Sequence, residues 1–406
     1  MSNKMLDGVR VVELGTHVAI PYCARELADM GAEVIKVEPP QGEAYRSRMG
    51  MLFQLPFKPD HNVVFTPYNV NKKSLSINLK DDDGKEAFLK LLSTADIFVT
   101  NTREMALERL GLDFNTLREK FPRLIIGSVN GFGTKGPDKD RGGYDATSFW
   151  SPSGAIPEWT TKDSKVFKPF YGFGDSIAAA QLTSGLMASM YRREKTGEGE
   201  VVRVSLLAAG LWHNICGLLR YQVGHKFPKS YYEPILPLDN FYLTKDGKWF
   251  LSSEERWDLR CNAYFELFGT PELKDDPEWN SMKGYMSNCA AKVQFLEEHI
   301  SQVSSEEITA ALSKAGAIFE FLYETEDVLT NKQAWENEFL REMKTLSGES
   351  LTIANIPLDF DSQGFVDECT PAPQLGQDSV AVLTGLGYTE EQIKSLLEKQ
   401  AIVAYE

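Results

Sequence analysis

The chain has 406 residues, 42% of them hydrophobic and 25% charged, a globular composition with material for one large core or several smaller ones. Its 58 acidic and 43 basic side chains leave a formal charge of −15, which argues against a general nucleic-acid or anionic-membrane surface, so an anionic ligand must find a locally basic pocket. No stretch approaches the ~18 consecutive apolar residues of a membrane span, Met1 to Arg10 lacks the apolar core of an export signal, and the five cysteines are odd in number and scattered like free thiols, so a cytoplasmic protein is expected.

The first forty residues read as a βαβ unit. VRVVEL (Val9 to Leu14) is a short apolar strand, GTHVAIP a turn with Pro21 placed to open a helix, YCARELADMGA that helix, and EVIKVE (Glu33 to Glu38) the next strand. SLSINL, DGKEAFLKLLSTA, DIFVTN, two helical pieces through Lys120 and LIIGSVNGFG repeat the alternation. Strands alternating with amphipathic helices predict an α/β fold with a parallel sheet, whose ligands gather at the carboxyl ends of the strands.

Next comes FYGFGDSIAAAQLTSGLMASMYRREKTGEGE, in which Ala178, Leu182, Leu186 and Met190 recur at helical spacing, the last turn is basic and Gly197 follows. Asp175 stands where that helix begins, and its plainest reading is an N-cap. VVRVSLLAAGLWHNICGLLRYQ reads as a strand running into a helix, and NFYLTKDGKWFLSS as a hairpin turning at Asp246 and Gly247. Helices follow from Arg256 to about Lys314, and the tail ends in the helical TEEQIKSLLEKQ. The expected division is a large domain over 1–227, a smaller α+β domain over 228–321, and a return through 322–406 that completes the large domain.

Several chemistries lack their motifs. The turn from Gly15 to Pro21 is not G-x-G-x-x-G, there is no phosphate-binding G-x-x-x-x-G-K-[ST] loop and no G-x-S-x-G elbow, and the five histidines (His17, His61, His213, His225, His299) include no pair at metal spacing. What remains is one carboxylate on a glycine-flanked turn, with basic residues Lys72, Lys73, Lys80, Arg103, Arg109 and Arg141 in the αβ region, several just after predicted strands.

The ordered blocks GAEVIKVE, NKKSLSINLK, ERLGLDF, PRLIIGSVNGFG, GGYD, GFGD and TGEGEVVRVSL, continued by LTKDGKWF, AGAIFEF and LGYTEEQI, resemble family III CoA-transferases, the family of formyl-CoA and carnitine CoA-transferases. FVTNTR, REKFPRL and GTKGPDKD are most similar to the 2-hydroxyisocaproate and phenyllactate CoA-transferase subgroup. The resemblance implies a Rossmann-like large domain, an interlocked homodimer, and Asp175 as the nucleophile of an acyl-aspartyl anhydride cycle. Acyl-CoA and small carboxylic acids are the implied substrates, with no cofactor or metal. It places CoA on the backbone of Val18 and Ala19, and on Ile77, Lys80, Asn101, Thr102, Arg103, Arg109, Arg141 and Tyr144. Departures from the family are Pro39 in place of a basic residue, Thr102 in place of phenylalanine, and no glycine-rich lid from Tyr231 to Asp239. An α-methylacyl-CoA racemase of the same fold is an alternative, although Tyr144 stands where that subgroup has its histidine; a non-catalytic CoA-binding protein is another.

Overall fold

The computed structural model describes residues 4–47, 62–162, 164–364 and 369–405; His61 lies outside them. Two compact units emerge: Met1–Gly154, Lys168–Ile215 and Lys332–Glu406 form the first, and Ala155–Phe167 with Cys216–Asn331 the second.

The first unit is built on a seven-stranded sheet: β1 (Arg10–Leu14), β2 (Glu33–Glu38), β3 (Lys73–Ile77), β4 (Ile97–Thr100), β5 (Ile125–Asn130), β6 (Val201–Ser205) and, at the far edge, Ile402–Val403. Its order runs from the Ile402–Val403 strand through β3, β2, β1, β4 and β5 to β6. Every pairing is parallel except that of Ile402–Val403 with β3. The α/β expectation therefore holds with one unforeseen element. A two-residue strand carries no periodicity to read, and it pairs across the edge only because the Glu390–Glu398 helix delivers it there.

The strands form because their apolar runs are buried on both faces. Val12, Ile35, Leu75, Phe98 and Ile126 pack with Phe88, Leu117 and Leu383 in one continuous core. The helices Ala19–Asp29 and Phe173–Thr196 pack together, and the latter lays Leu182 and Leu186 onto β5. A Cβ on Gly127 would sit only 3.1 Å from a Leu186 methyl, so that glycine admits the helix. Each buried leucine is worth roughly 1.5–3 kcal/mol.

The order of strand addition reverses between β1 and β4, a parallel pair that flanks the topological switch point. The turns that leave their carboxyl ends, 15–18 and 101–103, are thereby brought side by side.

The second unit holds the antiparallel strands β7 (Tyr242–Leu243), β8 (Trp249–Ser252) and β9 (Phe319–Phe321), with the hairpin turn closed at Gly247, φ 80°. Helices Trp257–Phe268, Cys289–Ile300 and Ser305–Ala315 enclose a core in which Trp257 stacks on Tyr285 at 4.2 Å. Among the described residues no helix is long and apolar enough to cross a membrane.

Candidate active site

Two turns meet at the switch point. Asn101 folds its amide onto the turn after β1, accepting from the Thr16 N–H at 3.0 Å and donating to the Thr16 carbonyl at 2.9 Å. The turn then opens the Ala19–Asp29 helix, whose first amides, on Val18 and Ala19, have no hydrogen-bond partner among the described residues. Free amides at a helix start suit a negatively charged group.

The start of the Phe173–Thr196 helix lies against this turn. A Cβ on Gly172 would come within 3.2 Å of the Val18 methyls and 3.5 Å of the Tyr68 hydroxyl. Gly172 is the N-cap, in the left-handed region at φ 83°, and Asp175 sits inside the first turn rather than at the cap, correcting the N-cap reading. The capping group comes from another segment. Asp145, buried at the head of the π-helical turn Asp145–Trp150, accepts the Asp175 N–H at 3.0 Å. Gly174 makes this possible, since a Cβ there would lie 2.5 Å from the Asp145 Oδ1. The second glycine of GFGD thus clears room for the capping carboxylate.

With its amide taken by Asp145, the carboxyl of Asp175 has no hydrogen bond among the described residues. Burial and the charge of Asp145 push it up to about 7. Burial raises Asp145 as well, opposed by the amides of Asp175, Gly174 and Gly172 and by Trp150. The phenols of Tyr45 and Tyr68 complete the surroundings; burial, then neighbouring negative charge including Asp175, holds both above the ordinary phenol value. A carboxylate with raised basicity, flanked by uncharged hydroxyls and a helix start, can act as a nucleophile or a proton carrier. Sequence reasoning missed Asp145, Tyr45, Tyr68 and His17 as members of the site. Only Asp145 had a local signal, the last residue of GGYD.

The other anticipated residues divide. Tyr144 is exposed and its ring meets His17 edge-on at 5.5 Å. Arg103 lies against Gly142, so that a Cβ there would be 2.6 Å from its Nη2, and Arg141 stands one residue before, over the Phe132 ring at 4.9 Å. Val18, Ala19, Asn101, Thr102, Arg103, Arg141 and Tyr144 therefore gather around the switch point. Ile77 puts its side chain into the core, and Lys80, exposed, follows it on the turn beside the sheet edge. Arg109 is exposed in the last turn of the Glu104–Leu110 helix. Lys72 departs from the solvent-facing role of a basic ligand contact. It is buried, with Nζ 2.7 Å from Glu13 Oε2, and burial lowers it to about 8. Lys73 pairs with Glu33 at 2.6 Å. A separate cavity of about 410 Å³, lined by Asn130, Arg203 and Trp212 among others, contains none of the carboxylates above.

The sequence pattern of CoA-transferase family III matches residues 6–379. The (R)-2-hydroxy-4-methylpentanoate CoA-transferase of Clostridioides difficile is 35% identical over 398 residues, spanning 98% of this chain and 99% of the relative. The cinnamoyl-CoA:phenyllactate CoA-transferase of Clostridium sporogenes is 30% identical, spanning 99% and 98%. A crystal structure of a CAIB/BAIF family protein from Brucella suis shares the fold with a TM-score of 0.83 at 24% identity, covering 95% of this chain and 100% of that one.

Proposed function

Because the chain belongs to CoA-transferase family III and is an enzyme that transfers CoA, we propose that it moves CoA from an acyl-CoA donor to a free 2-hydroxy carboxylic acid such as (R)-2-hydroxyisocaproate, with Asp175 as the nucleophile. The observation that carries this reading is the unbonded Asp175 carboxyl at a helix start, beside the turn where the sheet reverses.

The cycle balances without ATP. An Asp175 oxygen attacks the thioester carbonyl and the C–S bond breaks, giving an acyl-aspartyl anhydride and CoA thiolate. Thiolate attacks the aspartyl carbonyl, releasing the donor acid and leaving an aspartyl-CoA thioester. The acceptor carboxylate then attacks that carbonyl and the C–S bond breaks, giving an acceptor-aspartyl anhydride and thiolate; thiolate attacks the acceptor-side carbonyl, the C–O bond to the aspartyl oxygen breaks, and the new acyl-CoA leaves with Asp175 restored. Raised basicity makes Asp175 the better nucleophile once ionised, and the neutral Tyr45 and Tyr68 phenols offer donors to charge developing on oxygen. On this reading the Val18 and Ala19 amides, with Lys80, Arg103, Arg109 and Arg141, meet CoA through its phosphates and pantetheine, while Phe170, Tyr171 and Phe173, exposed beside the helix start, face the apolar acyl side chain.

Mixing the protein with an acyl-CoA and weighing it intact tests the chemistry: a covalent acyl or CoA adduct that disappears in Asp175→Ala is expected, and an adduct that persists in the variant overturns it. Competing 2-hydroxyisocaproate, oxalate and γ-butyrobetaine for one donor tests the substrate; a preference for either of the last two overturns the 2-hydroxy acid assignment alone. The racemase alternative gains one observation, an imidazole, His17, against Tyr144. Exchange of the acyl α-proton for deuterium without CoA transfer would favour it. A homodimer, implied by the family resemblance, belongs to the same proposal, and light scattering at twice the chain mass is the expected result.

A further inference from the structure

We propose that Glu43 is a positioning residue: seated on a buried lattice of charges, it clamps His17 in a left-handed backbone conformation and so fixes the imidazole against Tyr144 beside the Asp175 site. The inference rests on the transferase reading of that site.

The lattice begins in the sheet. Glu13 of β1 and Lys36 of β2 are direct partners in register, and both side chains are fully buried with Nζ 2.7 Å from Oε1. Lys36 also reaches the Gly15 carbonyl at 3.1 Å and Glu43 Oε1 at 3.2 Å. Lys72 takes the other oxygen of Glu13 at 2.7 Å and donates to the Pro21 carbonyl at 2.7 Å. Burial works against Glu13, Lys36 and Lys72 alike; the two lysines nevertheless hold Glu13 below its ordinary value and the carboxylates hold Lys36 above its own, while Lys72 stays below its own.

Such a lattice is a poor way to gain stability, since a well-packed apolar cluster of the same volume does as well or better. What it does instead is visible in where its bonds end. Its ties outside the charged groups include Gly15 and His17, in the turn that joins β1 to the next helix, and Pro21 in the first turn of that helix.

Glu43 makes the critical tie. Its Oε2 accepts the His17 N–H at 2.9 Å, while its own N–H donates to Glu38 Oε2 at 3.1 Å. Glu38 in turn is gripped by Arg46, Nε at 2.9 Å and Nη2 at 2.6 Å. His17 needs the clamp because its φ is 65°, a region that a side chain bearing a Cβ enters only at a cost. Asn101 holds the preceding residue, Thr16, and Glu43 holds His17 itself. The ring that results is packed edge-on by Tyr45 at 5.0 Å and Tyr144 at 5.5 Å, with Nδ1 2.9 Å from Thr16 Oγ1. Its Nε2 has no hydrogen-bond partner among the described residues.

A double-mutant cycle tests the clamp, because glycine adopts φ 65° without help. In the parental background Glu43→Ala is expected to lower kcat/KM for acyl-CoA about tenfold. In a His17→Gly background the same substitution is expected to cost less than about threefold. Affinity for CoA by calorimetry, which stays measurable in a slow variant, should show the same loss and the same attenuation. Melting temperatures are read alongside, and kinetics are taken well below them, so that a purely structural loss does not register. If Glu43→Ala fails to fold, Glu43→Met, which keeps most of the volume but offers no oxygen to the His17 N–H, goes through the same cycle. Losses that agree within about twofold in the two backgrounds, or no loss in either, overturn the clamp. Asp175→Ala serves as the separate control: an active Asp175→Ala enzyme overturns the transferase reading, whereas an uncoupled cycle in an enzyme that Asp175→Ala inactivates overturns only the role of Glu43.

Discussion

Two groups of carboxylates lie within the first unit, and they are treated in opposite ways. Glu13 is matched by two lysines within 2.7 Å and has no exposed surface; Asp175 is part-exposed, faces a second carboxylate in Asp145, and has no cation bonded to it among the described residues. The pKa directions follow the pairing, down for Glu13 and up to about 7 for Asp175. Burial alone does not distinguish them, since it raises both; the partner does. A compensated charge holds a turn in place, whereas an uncompensated one keeps the lone pairs that chemistry requires.

Removing each charge in turn separates the two roles. Asp175→Ala should reduce CoA transfer by at least about a thousandfold with little loss of folding, because a nucleophile disappears and no bond of the fold goes with it. Transfer near the parental rate in a coupled thioester assay would place the nucleophile elsewhere. Lys36→Ala should do the reverse first, costing on the order of 3–5 kcal/mol of stability by leaving Glu13 and Glu43 buried with fewer partners. Urea unfolding decides it, and a loss under about 1 kcal/mol would mean that the lattice is not held by its charges.

Smaller effects are expected at the periphery of the site. Arg109 and Lys80 are exposed cations without an ion pair among the described residues, so truncating Arg109, and less strongly Lys80, should weaken acyl-CoA binding by about 1.5–3 kcal/mol. Unchanged KM and calorimetric affinity in both variants would remove these residues from the CoA site.

The pH dependence gives the finest test. Asp175 has a folded-state pKa of about 7, above that of the unfolded chain, so the folded state keeps a proton that the unfolded state has lost. Its unfavourable contribution is absent below the unfolded value, grows as pH rises, and is complete above about 7. Asp175→Asn should therefore stabilise the protein at pH 8 by roughly 1–2 kcal/mol, allowing for partial solvent screening, and have little effect at pH 4. Activity should run the other way, rising through pH 7 as the carboxyl ionises. Asp145→Asn, which keeps an acceptor for the helix amides but removes the neighbouring charge, should shift that rise to lower pH. A profile unmoved by Asp145→Asn would show that burial alone sets the Asp175 value.

The core strands and the long helix were legible because hydrophobic runs and four-residue spacing are local: EVIKVE is a strand from Glu33 to Glu38, and the helix announced by Leu182 and Leu186 ends at Gly197. The charges embedded in those strands were less so. VVEL and VIKV read as apolar, and nothing nearby tells that Glu13 and Lys36 face each other, because that is decided by the register between strands. Asp175 stood out on its glycine-flanked turn, yet its capping reading failed, as the capping carboxylate arrives from thirty residues upstream. Tyr45 and Tyr68 carried no pattern at all.

The alternation of strand and helix, the family to which the ordered motifs belong, and one conspicuous carboxylate are all written along the chain. Periodicity and motif order suffice for these because each depends on neighbours along the chain. That Asp145 caps the helix of Asp175, that Lys72 turns inward to Glu13 rather than outward to a ligand, and that Glu43 accepts the N–H of His17 at φ 65° follow from the packing of distant segments. Each of those joins residues from separate segments, and their energetics depend on how far burial and a neighbouring charge offset one another, which exists only once the sheet has closed around them.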